Sequence, residues 1–302
     1  MLTKFGKRLL TSYIAGIADF GRKDLAIGIA NNTDYALADT NSRLGFEFFR
    51  LPVTLGSIDI APDGNGGYTY VAVYKTTIPQ DIAGTISEIG LYPGQRTSLN
   101  SYDSQYLSDF ENVLEWTNSA GGNPALIDST VLTPRIGDFT AEFRFDAGDT
   151  TSTTREYKVS KGILDIAGYS VNDSLTLAFN RNNTNSSKIR IKFYSSDTDY
   201  FYGDISLTSL STGNYIKQIS MSDIFGNTSG SPDATSIVSI GIEITRASAA
   251  SNSIIYMDGL RINDEDTFDP TYGLVSRSIL DAPVVKLSGR PIDIEYRLAL
   301  DF

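Results

Sequence analysis

The sequence predicts a mainly β protein: a small β-rich domain with an N-terminal helix, interrupted by an antiparallel β-sandwich of the jelly-roll type. The composition favours strands and turns over helices, since Thr, Ser, Ile, Asn and Gly are abundant beside 17 Tyr and 15 Phe. Residues 292–302 alternate apolar and polar side chains, the period of a strand with one buried face. Residues 104–266 alternate short apolar segments with turn-forming loops, as the strands of a sandwich do.

The N-terminal segment is predicted to form an amphipathic helix over residues 2–18. Its apolar residues fall at helical three- and four-residue spacing: Leu2, Phe5, Leu9, Tyr13 and Ile17. A secretory signal is the alternative, because basic residues precede an apolar run that ends in a segment resembling a cleavage site, 16–18. Thr11, Ser12 and Gly16 break that run, so the helix is the preferred interpretation.

Strands of the β-rich domain are expected on both sides of the sandwich segment. The strongest turn of the chain, 63–67, separates two of these strands in the manner of a hairpin. The predicted strands are 25–30, 43–53, 57–60, 68–78, 85–92 and 292–302.

The sandwich is predicted to begin at residue 104 and to end at residue 266, leaving 1–103 and 267–302 as a discontinuous domain. Its loops are rich in Asn, Ser, Thr, Asp and Gly. The predicted strands are 140–145, 157–165, 174–179, 188–194, 200–207, 216–221, 237–245 and 253–262.

Missing residue types exclude several kinds of chemistry. The chain has no Cys and no His, which excludes disulfides, thiolate and imidazole metal sites, and Ser-His or Cys-His nucleophiles. The net charge is −11, and residues 104–266 contribute −9 of it, with 12 basic and 21 acidic side chains. An acidic surface repels phosphate backbones, which argues against nucleic-acid binding. No run approaches the roughly 18 apolar residues of a membrane span.

One acid lies in the middle of an apolar strand. Glu88 shares a strand face with Ile86 and Gly90, and two basic residues, Arg50 and Arg277, are candidate partners. An acid–base role is the sharper alternative for a buried carboxylate. A structural ion pair that holds distant segments in register is the preferred interpretation.

The discontinuous domain resembles a module of phage tail-fibre and collar-type virion proteins. The ordered pieces are Leu25–Gly28, Leu44–Val53, Ile86–Tyr92, the spaced residues Arg277, Leu280, Pro283 and Lys286, and the last strand 292–302. The resemblance implies a structural protein of the phage particle that is assembled in the host cytoplasm, forms a homo-oligomer and contacts other virion proteins. The chain departs from the family pattern by inserting a second domain after Tyr92.

The insert resembles carbohydrate-binding jelly rolls. The matching pieces are Leu107–Asn112 with Trp116 at the start, and 236–244 with 255–262 at the end. The resemblance implies a structural calcium ion held by Asp109, Glu111 and Asp258, whose oxygen ligands suit calcium. Solvated loop acids are the alternative, and no other cofactor is expected.

Aromatic side chains of the insert are candidates for stacking on sugar rings. Tyr residues are also common in sandwich cores, so packing is the alternative. The candidate glycan contacts are Trp116, Tyr194, Tyr200, Tyr202 and Tyr215.

Catalysis is not expected. The acid pairs Asp197 with Asp199 and Asp264 with Asp266 invite a glycosidase interpretation, but such a dyad depends on a spacing that sequence does not supply. Charged loop tips are the preferred interpretation.

The favoured function is a non-enzymatic phage virion protein of the tail, baseplate or fibre, which docks by its discontinuous module and projects the jelly roll. A capsid decoration or head-fibre protein and a host-glycan-binding receptor module are the alternatives. Apolar faces of the N-terminal helix and the last strand are expected to supply interface area.

Overall fold

The computed structural model confirms a mainly β fold, with 61% of the described residues in strands and 7% in helices. The structure describes residues 1–15, 23–30, 37–39, 41, 43–62, 67–93, 105–118, 125–128, 136–148, 153–171, 173–263 and 273–301. All strand pairings within the described residues are antiparallel. No helix in these ranges is long and apolar enough to cross a membrane.

The chain divides into two compact units. Unit 1 comprises Met1–Ser98 and Thr267–Phe302, and unit 2 comprises Leu99–Asp266. The first domain boundary expected from the sequence, between 103 and 104, falls a few residues later than this division. Both expected boundaries lie outside the described residues.

The helices are α1 (Lys4–Ile14) and α2 (Met221–Gly226), with a 3-10 turn at Val113–Glu115. The strands of unit 1 are β1 (Lys23–Ile29), β2 (Phe46–Pro62), β3 (Tyr68–Ile78), β4 (Gly84–Tyr92), β17 (Ser276–Lys286) and β18 (Ile292–Asp301). The strands of unit 2 are β5 (Gln105–Ser108), β6 (Trp116–Asn118), β7 (Ala125–Asp128), β8 (Phe139–Phe145), β9 (Thr154–Leu164), β10 (Ser174–Arg181), β11 (Ser186–Tyr194), β12 (Tyr200–Ser206), β13 (Gly213–Ser220), β14 (Thr228–Ser229), β15 (Ile237–Arg246) and β16 (Ser253–Asn263).

Unit 1 is built on one six-stranded sheet with the order β17-β4-β1-β2-β3-β18. The two C-terminal strands, β17 and β18, therefore flank the four strands from the beginning of the sequence. The core of this unit includes Leu25, Ile27, Ile86, Leu91 and Val275. Unit 1 is thus one folded body made from two separate stretches of chain.

Helix α1 begins at Lys4, two residues later than predicted from the apolar spacing. Thr3 caps its start, since its Oγ1 accepts a hydrogen bond from the Gly6 backbone N–H at 3.0 Å. Leu9 is buried in the core of unit 1. Residues 16–18 of the predicted helix lie outside the described residues.

Strand β2 joins two segments that the sequence suggested were separate. Its first half pairs with β1 and its second half pairs with β3, and the register shifts between Leu55 and Ser57. Gly56 occupies this bulge, so the strand bends there and continues rather than ending. The predicted break at residues 54–56 was therefore wrong.

Unit 2 is a sandwich of two antiparallel sheets. One has the order β13-β10-β16-β8-β7, with β5 also paired to β16, and the other has the order β14-β12-β11-β15-β9-β6. Alternate residues of β10 and β16 share one continuous core with alternate residues of β11 and β15, for example Leu177, Leu260, Ile191 and Ile242. The opposite side chains of the second sheet consequently face outward.

Candidate functional site

The outer surface of the second sheet of unit 2 carries most of the tyrosines predicted to contact glycans. We call this surface the tyrosine face and define it by residues on four neighbouring strands: Glu156 and Lys158 on β9, Arg190, Lys192 and Tyr194 on β11, Tyr200, Tyr202 and Asp204 on β12, and Gly241 and Glu243 on β15. Strand alternation positions these residues, because their neighbours Ile191, Phe193, Phe201 and Ile242 point into the core.

Three tyrosine rings form a continuous row on this face. Tyr194 and Tyr200 are directly opposite on paired strands, and their ring centroids are 4.8 Å apart. Tyr202 follows Tyr200 two residues later, with a centroid separation of 6.1 Å. Tyr194 is buried at 3% exposure, whereas Tyr200 and Tyr202 are half-buried. The last two rings therefore offer the accessible aromatic surface.

Lys192 joins two carboxylates from neighbouring strands. Its Nζ lies 2.9 Å from Glu243 Oε2 and 3.3 Å from Glu156 Oε2. Burial lowers the pKa of Lys192, but the hydrogen bond that it donates to Glu243 and the charge of Glu156 outweigh burial and raise its pKa. The ammonium therefore stays charged, and it offsets the repulsion of two acids that face each other across β9 and β15.

Tyr194 is held by a hydrogen bond rather than presented to solvent. Its hydroxyl donates to Glu156 Oε1 at 2.6 Å, and the Lys158 Nζ lies 3.7 Å from its ring centroid. Burial and the bond to Glu156 raise the pKa of Tyr194 far above its ordinary value. Gly241 leaves room for this bond, since a Cβ there would approach Glu156 Oε1 to 2.4 Å.

Arg190 and Asp204 form the other end of the face. Arg190 donates from Nε and Nη2 to the two carboxylate oxygens of Asp204, at 2.6 and 2.8 Å. The same guanidinium lies 4.0 Å from the centroid of the Tyr202 ring. Tyr202 is consequently fixed against a charged partner, with its orientation set before any ligand arrives.

Two of the predicted glycan contacts do not belong to this face. Trp116 is 1% exposed and stacks on Phe110 at 5.4 Å inside the core, so its prediction as a sugar platform was wrong. Tyr215 lies on β13 of the other sheet and packs on Phe179 at 5.7 Å. Both rings serve packing, because burying an aromatic ring is the commonest way to use its apolar area.

The three acids predicted to bind calcium have separate hydrogen-bond roles. Asp109 accepts from the Glu111 backbone N–H, and Glu111 accepts from the N–H groups of Asp138 and Phe139. Asp258 is buried and accepts from Ile136 N–H. Within the described ranges no three acidic side chains come together as metal ligands, and calcium binding by these residues stays a prediction.

Of the two acid pairs considered for catalysis, the structure describes Asp197 with Asp199. Asp199 accepts from the Ser196 hydroxyl and from the Ser231 N–H, which lowers its pKa. It therefore acts as the anchor of a turn between β11 and β12. Residues 264–266 lie outside the described residues.

Glu88 and Arg277 meet in unit 1. Arg277 Nε and Nη2 lie 2.8 and 2.7 Å from Glu88 Oε2, and both side chains are fully buried. Arg277 also donates to Asn41 Oδ1, and Glu88 accepts from the Phe46 N–H. Burial raises the pKa of Glu88, while the Arg277 charge opposes that shift.

Arg50, the other predicted partner of Glu88, lies elsewhere. It makes a bidentate pair with Glu47 at 2.8 and 2.6 Å and covers the Tyr92 ring at 3.8 Å. The register shift in β2 between Glu47 and Phe49 leaves Phe48 as an extra residue, and this brings Glu47 and Arg50 to the same face of the strand. Arg50 was therefore wrong as a member of the Glu88 ion pair.

Sequence reasoning missed the charged half of the tyrosine face. Glu156, Lys158, Arg190, Lys192 and Glu243 were not singled out. The last four alternate with apolar residues in predicted strands, and Glu156 immediately precedes the predicted strand 157–165. That alternation marks them as outward-facing. Their convergence depends on the register among β9, β11 and β15, which the sequence does not state.

Comparisons with known proteins give structural likeness only. No protein-family model matches the chain, and no curated protein matches it. Among solved structures, it is similar to a family 11 carbohydrate-binding module from Clostridium thermocellum in complex with a β-1,3-1,4-mixed-linked tetrasaccharide, at 15% identity and a TM-score of 0.40, over 53% of this chain and 95% of that one.

Two further solved structures resemble the chain with similar identities and TM-scores. A carbohydrate-binding module specific for non-crystalline cellulose matches at 15% identity and a TM-score of 0.35, over 52% of this chain and 92% of that one. The glycoside hydrolase domain of Endo-D from Streptococcus pneumoniae matches at 16% identity and 0.33, over 49% of this chain and 21% of that one. At these identities and scores, the likenesses carry no argument about what the chain binds.

Proposed function

We propose that unit 2 binds carbohydrate on the tyrosine face. The observation that carries the proposal is the row of Tyr194, Tyr200 and Tyr202 on one outward sheet surface, flanked by charged hydrogen-bonding groups. The flat apolar side of a pyranose packs on an aromatic ring, while its hydroxyl groups need donors and acceptors nearby. Both kinds of partner are present here.

The roles of the three rings differ. Tyr200 and Tyr202 are half-buried and supply the contact surface, whereas Tyr194 supports Tyr200 from beneath and is locked by Glu156. Lys192 lies 5.0 Å from the Tyr200 ring centroid and holds the acids around it in place. A face fixed in this way loses little conformational entropy when a sugar binds.

A glycan array with the purified chain tests this proposal, followed by titration calorimetry on the best ligand. We expect Tyr200→Ala to weaken binding at least about tenfold, since an aromatic stacking contact is removed. Tyr215→Ala is the matched control, because Tyr215 is a half-buried tyrosine on the other sheet. No binding on an array that includes bacterial envelope polysaccharides, or equal losses in both variants, would contradict the proposal.

We also propose that the whole chain is a non-enzymatic structural protein of a phage particle, in the tail, baseplate or fibre, with unit 1 as the docking module. Support comes from the buried Glu88–Arg277 pair, which ties the two stretches of unit 1 together across the inserted unit. The ordered motifs of this unit are the second support. A capsid decoration protein is the alternative.

Imaging of intact particles separates these placements. A gold-labelled antibody raised against the purified chain should decorate the tail of the phage that encodes it. Decoration of the head would favour the capsid alternative, and a particle fraction free of the chain would contradict both.

A further inference from the structure

We propose that an exposed apolar surface in unit 1 is an interface with a second copy of this chain. The surface lies on one face of the three paired strands β2, β3 and β18. We define the arm as β2 from Leu55 onward together with the paired segments of β3 and β18. This inference does not depend on carbohydrate binding, since it concerns unit 1 alone.

Strand register places the apolar side chains of the arm on one side. Leu55 is opposite Tyr74, Ile58 is opposite Ala72, and Ile60 is opposite Tyr70. Tyr74 is in turn opposite Tyr296 of β18, and Ala72 is opposite Leu298. Directly opposed residues share a face of the sheet, so these side chains form one apolar surface.

Part of this surface is buried within unit 1 and part is not. Tyr74, Tyr296 and Leu298 are 8%, 5% and 8% exposed, and they belong to the core. Further along the arm the exposed fractions rise to 53% for Leu55, 63% for Ile58, 60% for Ile60, 58% for Tyr68 and 39% for Tyr70. Among the described residues, a core surface therefore continues into apolar side chains that are largely exposed, which is typical of an interface.

The apolar residues of the last strand were expected to supply this interface, but the structure uses Tyr296 and Leu298 internally. Leu9 of α1 is also buried in that core. The accessible apolar side chains come from β2 and β3 instead, where the two strands continue as a pair past Gly56.

Charge favours a copy of the same chain at this surface. The described side chains on the apolar face of the arm are uncharged, whereas Lys75, Glu295 and Arg297 lie on the opposite face and pair there. Two copies of a chain with a net charge of −11 repel each other through most surfaces. They meet at the apolar face of the arm without opposing like charges.

Geometry favours packing face to face about a two-fold axis. A sheet with one apolar side buries it most simply against another such sheet, and a two-fold pair uses the same surface on both copies. Pairing edge to edge through β18 is opposed by the charged residues that alternate along this edge strand, including Asp293, Glu295 and Arg297.

The exposed apolar area of the arm is large enough for a weak dimer. An apolar side chain of aromatic size offers about 150–250 Å² when fully buried. Five side chains that are roughly half exposed present about 500 Å² per copy, so a dimer removes about 1,000 Å² from water, the lower limit for a specific interface.

Sedimentation velocity of the full chain over a concentration series tests the inference. We expect a reversible dimer, and we expect Ile58→Glu with Ile60→Glu to raise its dissociation constant more than about tenfold, since each copy would bury two charges. Ile163→Glu is the matched control, because Ile163 is 78% exposed and lies in unit 2. Far-UV circular dichroism verifies that each variant is folded.

Labelling gives a second readout that does not require loss of assembly. The chain contains no cysteine, so Ile60→Cys introduces a single thiol for a spin label. Pulsed dipolar spectroscopy should show a defined distance between copies for Ile60→Cys, and adding Ile58→Glu to this variant should abolish it. A chain that stays monomeric up to about 100 µM, where a micromolar dimer is nearly complete, would overturn the inference. An assembly unaffected by the double variant would overturn it equally.

Discussion

Glu88 and Arg277 form a buried ion pair although 189 positions separate them in the sequence. They come from adjacent strands of unit 1, and unit 2 is inserted between them along the chain. Asn41 and the Phe46 backbone satisfy further hydrogen-bonding groups of the two side chains. The pair therefore fixes which residue of β17 lies beside which residue of β4.

Removing one member of this pair should destabilise unit 1. We expect Glu88→Ala to lower the free energy of unfolding by about 3–5 kcal/mol, because the Arg277 charge would remain buried without its partner. Chemical denaturation followed by circular dichroism measures this loss. Glu295→Ala removes an exposed ion pair with Arg297 and should leave the melting temperature unchanged. Equal melting of the two variants would contradict the structural role of Glu88.

Lys192 should be essential for the tyrosine face to fold as observed. Lys192→Met leaves Glu156 and Glu243 opposed across paired strands, which we expect to cost about 2–3 kcal/mol of unfolding free energy. Glu243→Gln in the Lys192→Met background should recover part of this loss, since one of the two charges is gone. Thermal denaturation of the four members of this cycle gives the coupling, and independent effects would refute it.

The Tyr194–Glu156 hydrogen bond should depend on the absence of a side chain at Gly241. A Cβ at this position would lie 2.4 Å from Glu156 Oε1 and 2.9 Å from Tyr194 Cε2. We expect Gly241→Ala to displace both groups and to weaken glycan binding several-fold, about as much as Tyr194→Phe does. Gly162→Ala is the control on β9, because no atom lies within 4 Å of its added Cβ. Calorimetric titration compares the three variants.

Acid should weaken unit 2 partly through Asp204. Burial opposes ionisation of Asp204, but the hydrogen bonds and charge of Arg190 prevail and lower its pKa below 3.8. A carboxylate with a lowered folded-state pKa stabilises the fold above its unfolded-state pKa and loses that contribution as the pH falls through the folded value. Melting temperatures between about pH 5 and pH 2.5 should therefore fall more steeply for the wild type than for Asp204→Asn. Parallel curves would exclude this contribution.

Local sequence patterns predicted the helices and strands better than they predicted which side chains are in contact. The alternation in residues 292–302 gave the last strand, since a strand's two faces are encoded in neighbouring residues. Glu88 could be identified as an ion-pair member because few acids lie within an apolar strand. Its partner could not be chosen, because Arg50 and Arg277 differ only in strand register, which is set by pairing between distant segments.

The aromatic residues also show that sequence patterns predict strands better than they predict which side chains are buried. Trp116 and Tyr200 both lie in or beside strands of unit 2, but one enters the core and the other faces outward. A short strand such as Trp116–Asn118 has too few residues for alternation to reveal its buried side. The row formed by Tyr194 and Tyr200 required knowledge that β11 and β12 place these residues directly opposite each other.

The sheet order of unit 1 has a consequence for synthesis. β4 and β3 find their outer neighbours β17 and β18 only after the whole of unit 2 has left the ribosome. Until then the nascent sheet has two open edges, whose unpaired backbone groups invite pairing with other nascent chains. Unit 2 has all its own strands by that time and can fold first. Completion of the unit 1 sheet therefore depends on translation through β17 and β18, after the whole of unit 2.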